Sequence, residues 1–358
     1  INDYYQYHFF NPLLHIYLKK MSLTPKLLKD AQIKLNNTHK PVFMPQFGFG
    51  TAASADELEI NKEAIKVAVR DAGIRCIDTA RFYGGGKIEY AVGEAIEELI
   101  NEKVVTREEL FITTKIWPNQ WNKAQESLDK SLKALKLDYV DLLLQHWPIC
   151  FPEIVNPATG ELYGTPHDEK TGKPLYDETG DYITTYKQMD AIYNSPNNTK
   201  VRAIGVSNYA VSQLERVLAD DTIKTKPSVL QVELNPQLNQ EELVKFCTKH
   251  GIVVTGYSPL GSTGAPILKL PELNEIAKAH DITAYDVVVS WFIKKNLVVI
   301  PRSLNLQRVA KMKYYYDLTD DEVVKIDQIG IDKPYRHIDE DFTAILPGFT
   351  GRVKTENK

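Results

Sequence analysis

An alternation of short apolar segments with longer helical segments constrains the fold of this chain more than any other feature. Eight segments are rich in β-branched residues and almost continuously apolar, which is typical of strands buried on both faces of a parallel sheet. They lie at 46–50, 74–77, 110–114, 139–144, 203–206, 229–232, 252–256 and 298–300. Helical periodicity lies between them, at 59–72, 88–101, 123–135, 211–219, 240–250, 271–280 and 285–294. Eight such repeats predict an α/β fold, a (β/α)8 TIM barrel, after a β-hairpin at 33–35 and 42–44.

The composition is that of a globular protein and narrows the classes of function. The chain of 358 residues is 43% hydrophobic and 25% charged with a net charge of −4, so nucleic acid and membranes are not expected partners. We expect one barrel domain over 21–358, because Met21 opens an ordinary polar segment, and an extension without a role in the fold over 1–20. Cys76, Cys150 and Cys247 lie far apart without zinc-ligand spacing, which predicts buried free thiols, a reducing compartment such as the cytoplasm, and no metal site.

Polar side chains stand at the carboxyl end of every predicted strand. In an α/β barrel the active site lies at that end, where the loops that lead into the helices begin. The residues in question are Thr51, Asp78, Lys115, His146, Ser207, Asn208, Gln231, Tyr257 and Arg302. The longest irregular segment, 149–182, follows the fourth strand on the same face, and we interpret it as an active-site lid.

Asp78, Tyr83, Lys115 and His146 have the chemistry of an acid–base site. A free tyrosine has a pKa of about 10, and a buried lysine ammonium beside it would favour the phenolate and lower that pKa. Asp78 would hold the lysine and compensate its charge, and His146 would orient a substrate oxygen by a hydrogen bond. A structural Asp–Lys pair, a core tyrosine and a hydrogen-bonded core histidine remain the alternatives that these residues alone leave open.

Longer segments around these residues resemble the signatures of the aldo-keto reductase family. They are GIRCIDTARFY at 73–83, LFITTK at 110–115, LDYVDLLLQHWP at 137–148, AIGVSN at 203–208, QVE at 231–233, YSPLGS at 257–262 and IPRS at 300–303. The resemblance extends over nearly the whole chain after Met21. Segments at 143–148, 257–266, 300–305 and 344–351 further resemble the fungal D-arabinose 1-dehydrogenase subgroup.

The resemblance implies an oxidoreductase that interconverts a carbonyl and an alcohol, with a nicotinamide as hydride carrier and no metal. It makes Tyr83 the general acid in reduction and, as phenolate, the base in oxidation. Lys115 and Asp78 would tune Tyr83, and His146 would position the carbonyl.

The resemblance also implies contacts with NADP(H). Tyr257 would stack on the nicotinamide ring, and its carboxamide would be bound by Ser207, Asn208 and Gln231. The other implied contacts are Thr51, then Ser258, Leu260 and Ser262 at the pyrophosphate, and Arg302, Ser303, Asn305 and Arg308 at the 2′-phosphate. Asn305 is expected to be the N-cap of a helix, and Arg308, one turn inside it, to be better fixed than Arg302.

The chain departs from the family pattern at the substrate pocket and at the cofactor loops. Ala52 stands where many members have a tryptophan, so one aromatic wall of the usual pocket is missing, and Phe82 and Trp147 are expected to replace it in part. The other departures are Ala53 and Gly264 in place of a Lys–Asp pair over the pyrophosphate, and Lys311 and Met312 in place of adenine contacts. Use of NAD(H) beside NADP(H) therefore stays open.

The expected partner is a small-molecule carbonyl compound. Oxidation of an aldose such as D-arabinose at C1 to the lactone is the first expectation, and reduction of reactive aldehydes or dicarbonyls is the alternative. A cofactor-sensing binding subunit is the non-enzymatic alternative, against which the four acid–base residues and the long loop argue. The sequence leaves a monomer and a dimer equally open.

Overall fold

The computed structural model describes residues 23–157, 160 and 164–349. The strands are β1 (Lys26–Leu27), β2 (Gln32–Leu35), β3 (Val42–Pro45), β4 (Gly48–Gly50), β5 (Cys76–Asp78), β6 (Phe111–Ile116), β7 (Leu142–Gln145), β8 (Ile204–Ser207), β9 (Val229–Glu233), β10 (Val253–Tyr257), β11 (Val298–Val299) and β12 (Tyr314–Tyr315). The expected extension over 1–20, and residues 350–351 of the subgroup resemblance, lie outside the described residues.

Ten α-helices accompany these strands in the described part of the chain. They are α1 (Leu58–Arg70), α2 (Ile88–Asn101), α3 (Ala124–Leu135), α4 (Tyr182–Tyr193), α5 (Val211–Ala219), α6 (Glu241–Lys249), α7 (Pro271–His280), α8 (Ala284–Lys294), α9 (Leu306–Ala310) and α10 (Asp320–Asp332). Short 3₁₀ helices lie at Leu28–Asp30, Ala55–Glu57, Tyr83–Gly86, Pro118–Gln120, Pro266–Lys269 and Asp341–Ile345. Within the described ranges, no helix is both long and apolar enough to cross a membrane.

Eight parallel strands, β4 to β11, follow one another around a barrel in chain order. The first and eighth strands meet where Phe47 bridges Val299, with the Val299 amide donating to the Gln46 carbonyl at 2.9 Å. This contact closes the ring, so the predicted (β/α)8 barrel is confirmed. All eight carboxyl ends consequently face the same side of the molecule.

The hairpin of β2 and β3 closes the other end of the barrel. Its Leu35, Val42 and Met44 are buried in one cluster with Cys76 and Phe111 from the amino-terminal ends of the barrel strands. Because the described side chains fill that end with apolar surface, we expect a ligand to approach the barrel interior from the carboxyl ends. The three cysteines are buried and free, as predicted.

Six of the eight predicted barrel strands begin one to three residues before the observed strand. The sequence predicts a strand over 139–144, whereas β7 is Leu142–Gln145, because Val140 makes only an isolated bridge to Val201. Apolar residues that precede a strand are buried as well, so hydrophobicity does not mark where pairing begins. A polar residue does not mark the end of a strand either, since Asp78 and Ser207 are themselves paired in the sheet.

Helices α2, α5 and α7 agree with the prediction at both ends, whereas α4 and α10 are not among the predicted helices. In α4 the buried positions include Thr185 and Asp190, which interrupt the apolar stripe that a helix on a barrel normally shows. In α10 only Ile326 and Ile329 are buried, so its apolar stripe is too short to stand out.

Candidate active site

Asp78 and Lys115 come from adjacent strands and meet inside the barrel. Asp78 is opposite Thr113 in the β5–β6 register, and Lys115 lies two residues further on the same face of β6. The Lys115 ammonium donates to Asp78 Oδ1 at 2.6 Å, to the Thr79 carbonyl at 3.0 Å and to Tyr83 Oη at 3.0 Å. The buried ammonium therefore has three oxygen partners, one of which is the phenol.

A turn of three glycines follows Tyr83 and sets its position. Gly84, Gly85 and Gly86 have φ angles of 56°, 64° and 87°, in the left-handed region that side-chain-bearing residues rarely adopt. A Cβ at Gly86 would lie 2.7 Å from the Arg81 guanidinium, which donates to the Gly86 carbonyl. The chain thus reverses directly after Tyr83, while the phenol stays against Lys115.

Burial dominates the ionisation of the phenol. It raises the pKa of Tyr83, and the opposing charge of Lys115 reduces this rise without reversing it. Lys115 thus acts on the Tyr83 pKa in the expected direction, but burial outweighs it, so the pKa lies above its ordinary value. Burial lowers the pKa of Lys115, but Asp78 and Tyr83 outweigh burial and raise it. At neutral pH the site holds a neutral phenol beside a charged ammonium.

His146 lies beside Tyr83, with its ring held by aromatic packing. The Tyr83 and His146 ring centroids are 5.7 Å apart, edge to face, and Trp117 meets His146 edge to face at 4.9 Å. Burial, helped by the charge of Lys115, holds the pKa of His146 well below its ordinary value. The neutral ring carries one N–H donor. His146 Nδ1 is buried and finds no hydrogen-bond partner among the residues that the structure describes.

Aromatic side chains line one side of this acid–base group, and we call them the aromatic wall: Phe82, Trp117, Trp147, Phe151 and Phe342. Phe82 stacks on Trp117 with centroids 3.7 Å apart. Trp147 is stacked beside His146 at 6.4 Å and contacts Phe342 at 5.2 Å. Phe82 and Trp147, the two residues expected at the pocket, thus both belong to this wall, and Trp147 is almost fully buried.

Besides Phe151 and Phe342, the residue of the wall that the sequence prediction missed is Trp117. It lies two residues after Lys115, at the carboxyl end of β6, so the alternation of a strand places both side chains on one face. Continuing the alternation of the predicted strand 110–114 as far as residue 117 would have placed Trp117 on the same face as Lys115. Phe342 was missed because it lies far along the chain, after the last barrel strand.

Two loops cover the aromatic wall. The described part of 149–182, the predicted lid, contacts it where the Gly164 carbonyl accepts from the Trp117 indole N–H. The Tyr176 hydroxyl donates to the Phe342 carbonyl at 3.0 Å, and His167 pairs with Asp341 at 2.8 Å. The lid segment and the segment after α10 are therefore hydrogen-bonded to each other beside the aromatic wall.

A buried carboxylate anchors the segment after α10. Glu233, at the end of β9, accepts from the amides of His337 at 2.7 Å and Ile338 at 3.0 Å. Burial raises the pKa of Glu233, against the effect of these amides. Arg336 lies 3.6 Å from the same carboxylate. The sequence prediction did not include this anchor.

The expected nicotinamide contacts form one hydrogen-bonded group with the acid–base residues. Asn208 Nδ2 donates to Ser207 Oγ at 3.1 Å and to the His146 carbonyl at 3.0 Å, while its Oδ1 accepts from the Tyr257 hydroxyl at 2.8 Å. Gln231 Nε2 donates to Asp78 Oδ2 at 2.7 Å. The structure therefore brings these residues together at the carboxyl ends of β8, β9 and β10.

Thr51 and the loop after β10 have different surroundings. Thr51 is buried, and its hydroxyl donates to the Asp78 carbonyl at 2.9 Å, so it supports the neighbouring strand end. Ser258 and Ser262 adopt positive φ angles of 49° and 56°, and Ser262 is exposed. Leu260 packs against the main core. The two serine hydroxyls, but not Leu260, offer polar side chains near the end of β10.

The cluster after β11 contains the expected phosphate contacts. Asn305 Oδ1 accepts from the Arg308 amide at 2.9 Å, so the predicted N-cap is confirmed, on a helix of five residues. Ser303 Oγ accepts from the Asn305 amide at 3.2 Å. Arg302 pairs with Glu57 at 2.7 Å, whereas the exposed Arg308 has no ion pair with any described residue. The expectation that Arg308 is better fixed than Arg302 is therefore wrong.

The two positions that depart from the family's adenine contacts differ in exposure. Lys311 is exposed, whereas Met312 is 4% exposed and packs in the main core. Met312 is thus a structural residue.

Comparison with known proteins gives the chain its family. The model of the Aldo/keto reductase family matches residues 46–331. A Saccharomyces cerevisiae protein named Glycerol 2-dehydrogenase (NADP(+)) is 37% identical over 318 residues, which cover 88% of this chain and 96% of the relative. Aldehyde reductase YPR1 of the same yeast is 35% identical, covering 86% and 93%. Aldo-keto reductase family 1 member C1 of Macaca fuscata fuscata is 37% identical, covering 90% and 97%.

These names support the family-level resemblance but not the subgroup, because none of the three relatives is named for D-arabinose. The matches span nearly the whole barrel and most of each relative. The chain therefore belongs to the aldo/keto reductase family of oxidoreductases.

Proposed function

We propose that this chain interconverts carbonyls and alcohols with NADP(H), and that Tyr83 carries the proton. The proposal rests chiefly on the Lys115 ammonium, which lies 3.0 Å from the Tyr83 hydroxyl and 2.6 Å from the Asp78 carboxylate in a buried site. When bound, NADP(H) supplies or accepts the hydride. The name of the yeast glycerol dehydrogenase supports the choice of cofactor.

The proton chemistry follows from the ionisation of Tyr83. Because burial raises the Tyr83 pKa, the phenol holds its proton at neutral pH and can donate it to the carbonyl oxygen. The phenolate that forms gains a charge-assisted hydrogen bond from Lys115. In alcohol oxidation the same phenolate accepts the hydroxyl proton. Asp78 keeps Lys115 protonated and in place.

His146 orients the substrate. Its neutral ring can donate one hydrogen bond to the substrate oxygen without transferring a proton, because its pKa lies well below the neutral range. Packing against Trp117 and Trp147 fixes the ring plane. The substrate oxygen would then lie between the phenol and the imidazole.

The donor set at the strand ends suits a nicotinamide dinucleotide. Ser207, Asn208 and Gln231 place hydroxyl and amide groups beside the acid–base residues, which matches the donors and acceptors of a carboxamide. Arg302 and Arg308 supply the planar donors that phosphate prefers. We assign Tyr257 to the nicotinamide ring, since its hydroxyl is bound to Asn208 and its ring position is therefore fixed.

The aromatic wall favours aldehydes and ketones with apolar substituents. Phe82 stacks on the buried Trp117 and is itself 36% exposed, so it offers aromatic surface that an apolar substituent can bury. The name of the second yeast relative, an aldehyde reductase, supports this choice. Oxidation of D-arabinose to the lactone is the second candidate, supported by the segments at 257–266 and 300–305.

A steady-state panel tests the proposal. Reduction of benzaldehyde and of diacetyl, and oxidation of D-arabinose and of glycerol, are each measured with both cofactors. We expect reduction of benzaldehyde with NADPH to give the highest kcat/KM. A higher kcat/KM for D-arabinose oxidation would make oxidation to the lactone the first candidate and aldehyde reduction the second. Tight NADPH binding without turnover of any substrate would favour the cofactor-sensing subunit instead.

Tyr83→Phe isolates the proton carrier, because it removes the hydroxyl and keeps the ring. We expect kcat to fall by about 10²–10⁴-fold, with the NADPH dissociation constant almost unchanged. Tyr176→Phe is the matched control, since its hydroxyl bonds only the Phe342 carbonyl in the described structure. Retention of more than about a tenth of the wild-type rate in Tyr83→Phe would remove Tyr83 from the proposed role, given the usual size of acid–base effects.

A further inference from the structure

An ion pair joins the first and last loops of the barrel at the expected phosphate end of the cofactor site. Arg302, after β11, donates through Nη2 to Glu57 Oε2 at 2.7 Å. The two loops lie side by side because the Gly50 amide donates to the Pro301 carbonyl at 3.0 Å where the barrel closes. Each side chain of the pair is about one-third exposed, so it is accessible to a ligand.

Contacts within the protein hold the Glu57 carboxylate in place. Its carboxylate accepts from the Ser54 amide at 3.1 Å, which completes a capping box at the start of the 3₁₀ helix Ala55–Glu57. The Ser54 amide and then the Arg302 charge lower the pKa of Glu57, so the carboxylate is ionised at neutral pH. A fixed negative charge therefore stands beside the guanidinium proposed for the 2′-phosphate.

We infer that Glu57 sets the choice between NADP(H) and NAD(H), by competing with the 2′-phosphate for Arg302. This inference rests on the proposed function, which places the 2′-phosphate at Arg302. A phosphate that approaches the guanidinium meets the Glu57 carboxylate, and like charges at contact distance oppose binding. The 2′-hydroxyl of NAD(H) carries no charge and can donate to that carboxylate, as riboses do to acidic residues in other folds. Glu57 thereby reduces the difference in affinity between NADP(H) and NAD(H) and allows NAD(H) to bind.

Glu57→Gln tests the inference with little disturbance of the fold. Glutamine keeps the acceptor for the Ser54 amide, and capping boxes accept either residue. We expect the NADPH dissociation constant to fall about three- to tenfold, which corresponds to about 0.7–1.4 kcal/mol. The NADH dissociation constant should stay the same or rise. Fluorescence titration measures both constants without turnover.

Asp56→Asn is the matched control, because it removes the same charge one residue away. Asp56 bonds Ser54 rather than Arg302, so the ratio of the two dissociation constants should change by less than about twofold. In an Arg302→Ala background, Glu57→Gln should no longer change the ratio of the NADPH and NADH dissociation constants. The guanidinium for which Glu57 and the 2′-phosphate compete is then absent.

The outcomes separate this inference from the proposed function. Equal effects of Glu57→Gln and Asp56→Asn on NADPH, or parallel changes for both cofactors, would overturn the competition and leave the proposed function standing. An unchanged effect of Glu57→Gln in the Arg302→Ala background would do the same. A wild-type protein that binds neither cofactor would overturn the proposed function, and the inference with it.

Discussion

Removing one charge from the Asp78–Lys115 pair should destabilise the barrel far more than removing both. Asp78 is 3% exposed and Lys115 is 1% exposed, so solvent cannot compensate a lost partner. Asp78→Asn leaves the ammonium with only the Tyr83 hydroxyl and the Thr79 carbonyl as described oxygen partners besides the new amide. Breaking a buried pair costs about 3–5 kcal/mol, and we expect the free energy of unfolding to fall by that amount.

Lys115→Met should cost a similar amount. It leaves the Asp78 carboxylate buried, with the Gln231 amide as its remaining side-chain partner in the described structure. The double variant Asp78→Asn/Lys115→Met has no buried charge and nearly the same volume. Because apolar replacement of a buried pair is often neutral, we expect the double variant to lie within about 2 kcal/mol of wild type. Since each single variant costs at least about 3 kcal/mol and the double variant at most about 2 kcal/mol, the coupling between the two sites would be at least about 4 kcal/mol, above the usual range of about 0.5–3 kcal/mol.

Urea unfolding followed by circular dichroism and by tryptophan fluorescence measures these free energies, and coincident curves establish two-state behaviour. The exposed Lys325–Glu275 pair between α10 and α7 is the control, for which Lys325→Met and Glu275→Gln should each cost at most about 1 kcal/mol. Additive costs in the Asp78–Lys115 cycle, or a single-variant cost below about 1 kcal/mol, would refute the argument that burial controls this pair.

Four further predictions concern the pocket, the proton, the cofactor and the thiols. Trp117→Leu should raise the KM for benzaldehyde at least about tenfold, since most of a buried aromatic contact is lost, with a smaller change in kcat; steady-state kinetics with an unchanged KM would contradict the pocket assignment. Because burial raises the Tyr83 pKa, kcat/KM for reduction should stay level from about pH 6 to about pH 8 and fall only at alkaline pH, whereas oxidation should rise with pH; a reduction profile that falls below neutrality would show a different proton donor. Arg308→Ala should weaken NADPH binding about ten- to a hundredfold and NADH binding less than about threefold in fluorescence titrations; equal losses would assign Arg308 to the fold or to adenine. Burial raises the pKa of Cys150 and of Cys247 to about 12, so mass spectrometry should find both thiols unalkylated by iodoacetamide at pH 8 in the folded protein and alkylated in denaturant; labelling of the folded chain would mean that these thiols open readily to solvent.

The position of the acid–base residues was predictable because all strands of a parallel sheet end at the same edge. A polar residue at the end of a buried apolar run lies at the carboxyl edge of the sheet, whatever the neighbouring strands are. This rule and the family motifs are sufficient to predict that Asp78, Lys115 and His146 lie in one site. The N-cap at Asn305 was predictable for the same reason, since its signal is local.

The ionisation of Tyr83 was not predictable, because it is a balance between burial and one charge. The sequence indicates the charge of Lys115, but only the packing around the phenol decides how much water is excluded. The partner of Arg302 was missed for a related reason. Glu57 lies 245 residues away in the chain and is brought alongside only when the first and last strands meet.

The sequence by itself determined the (β/α)8 architecture and the family, and it predicted the four residues Asp78, Tyr83, Lys115 and His146 that the barrel brings together. These properties depend on local periodicity and on residue types at strand ends, which a single pass along the chain contains. The tertiary structure alone decided the Trp117–Phe82 stack, the Glu233 anchor of the last segment and the Arg302–Glu57 pair. Each of these contacts joins elements far apart in the chain, and their distance and solvent exposure exist only after the barrel has closed.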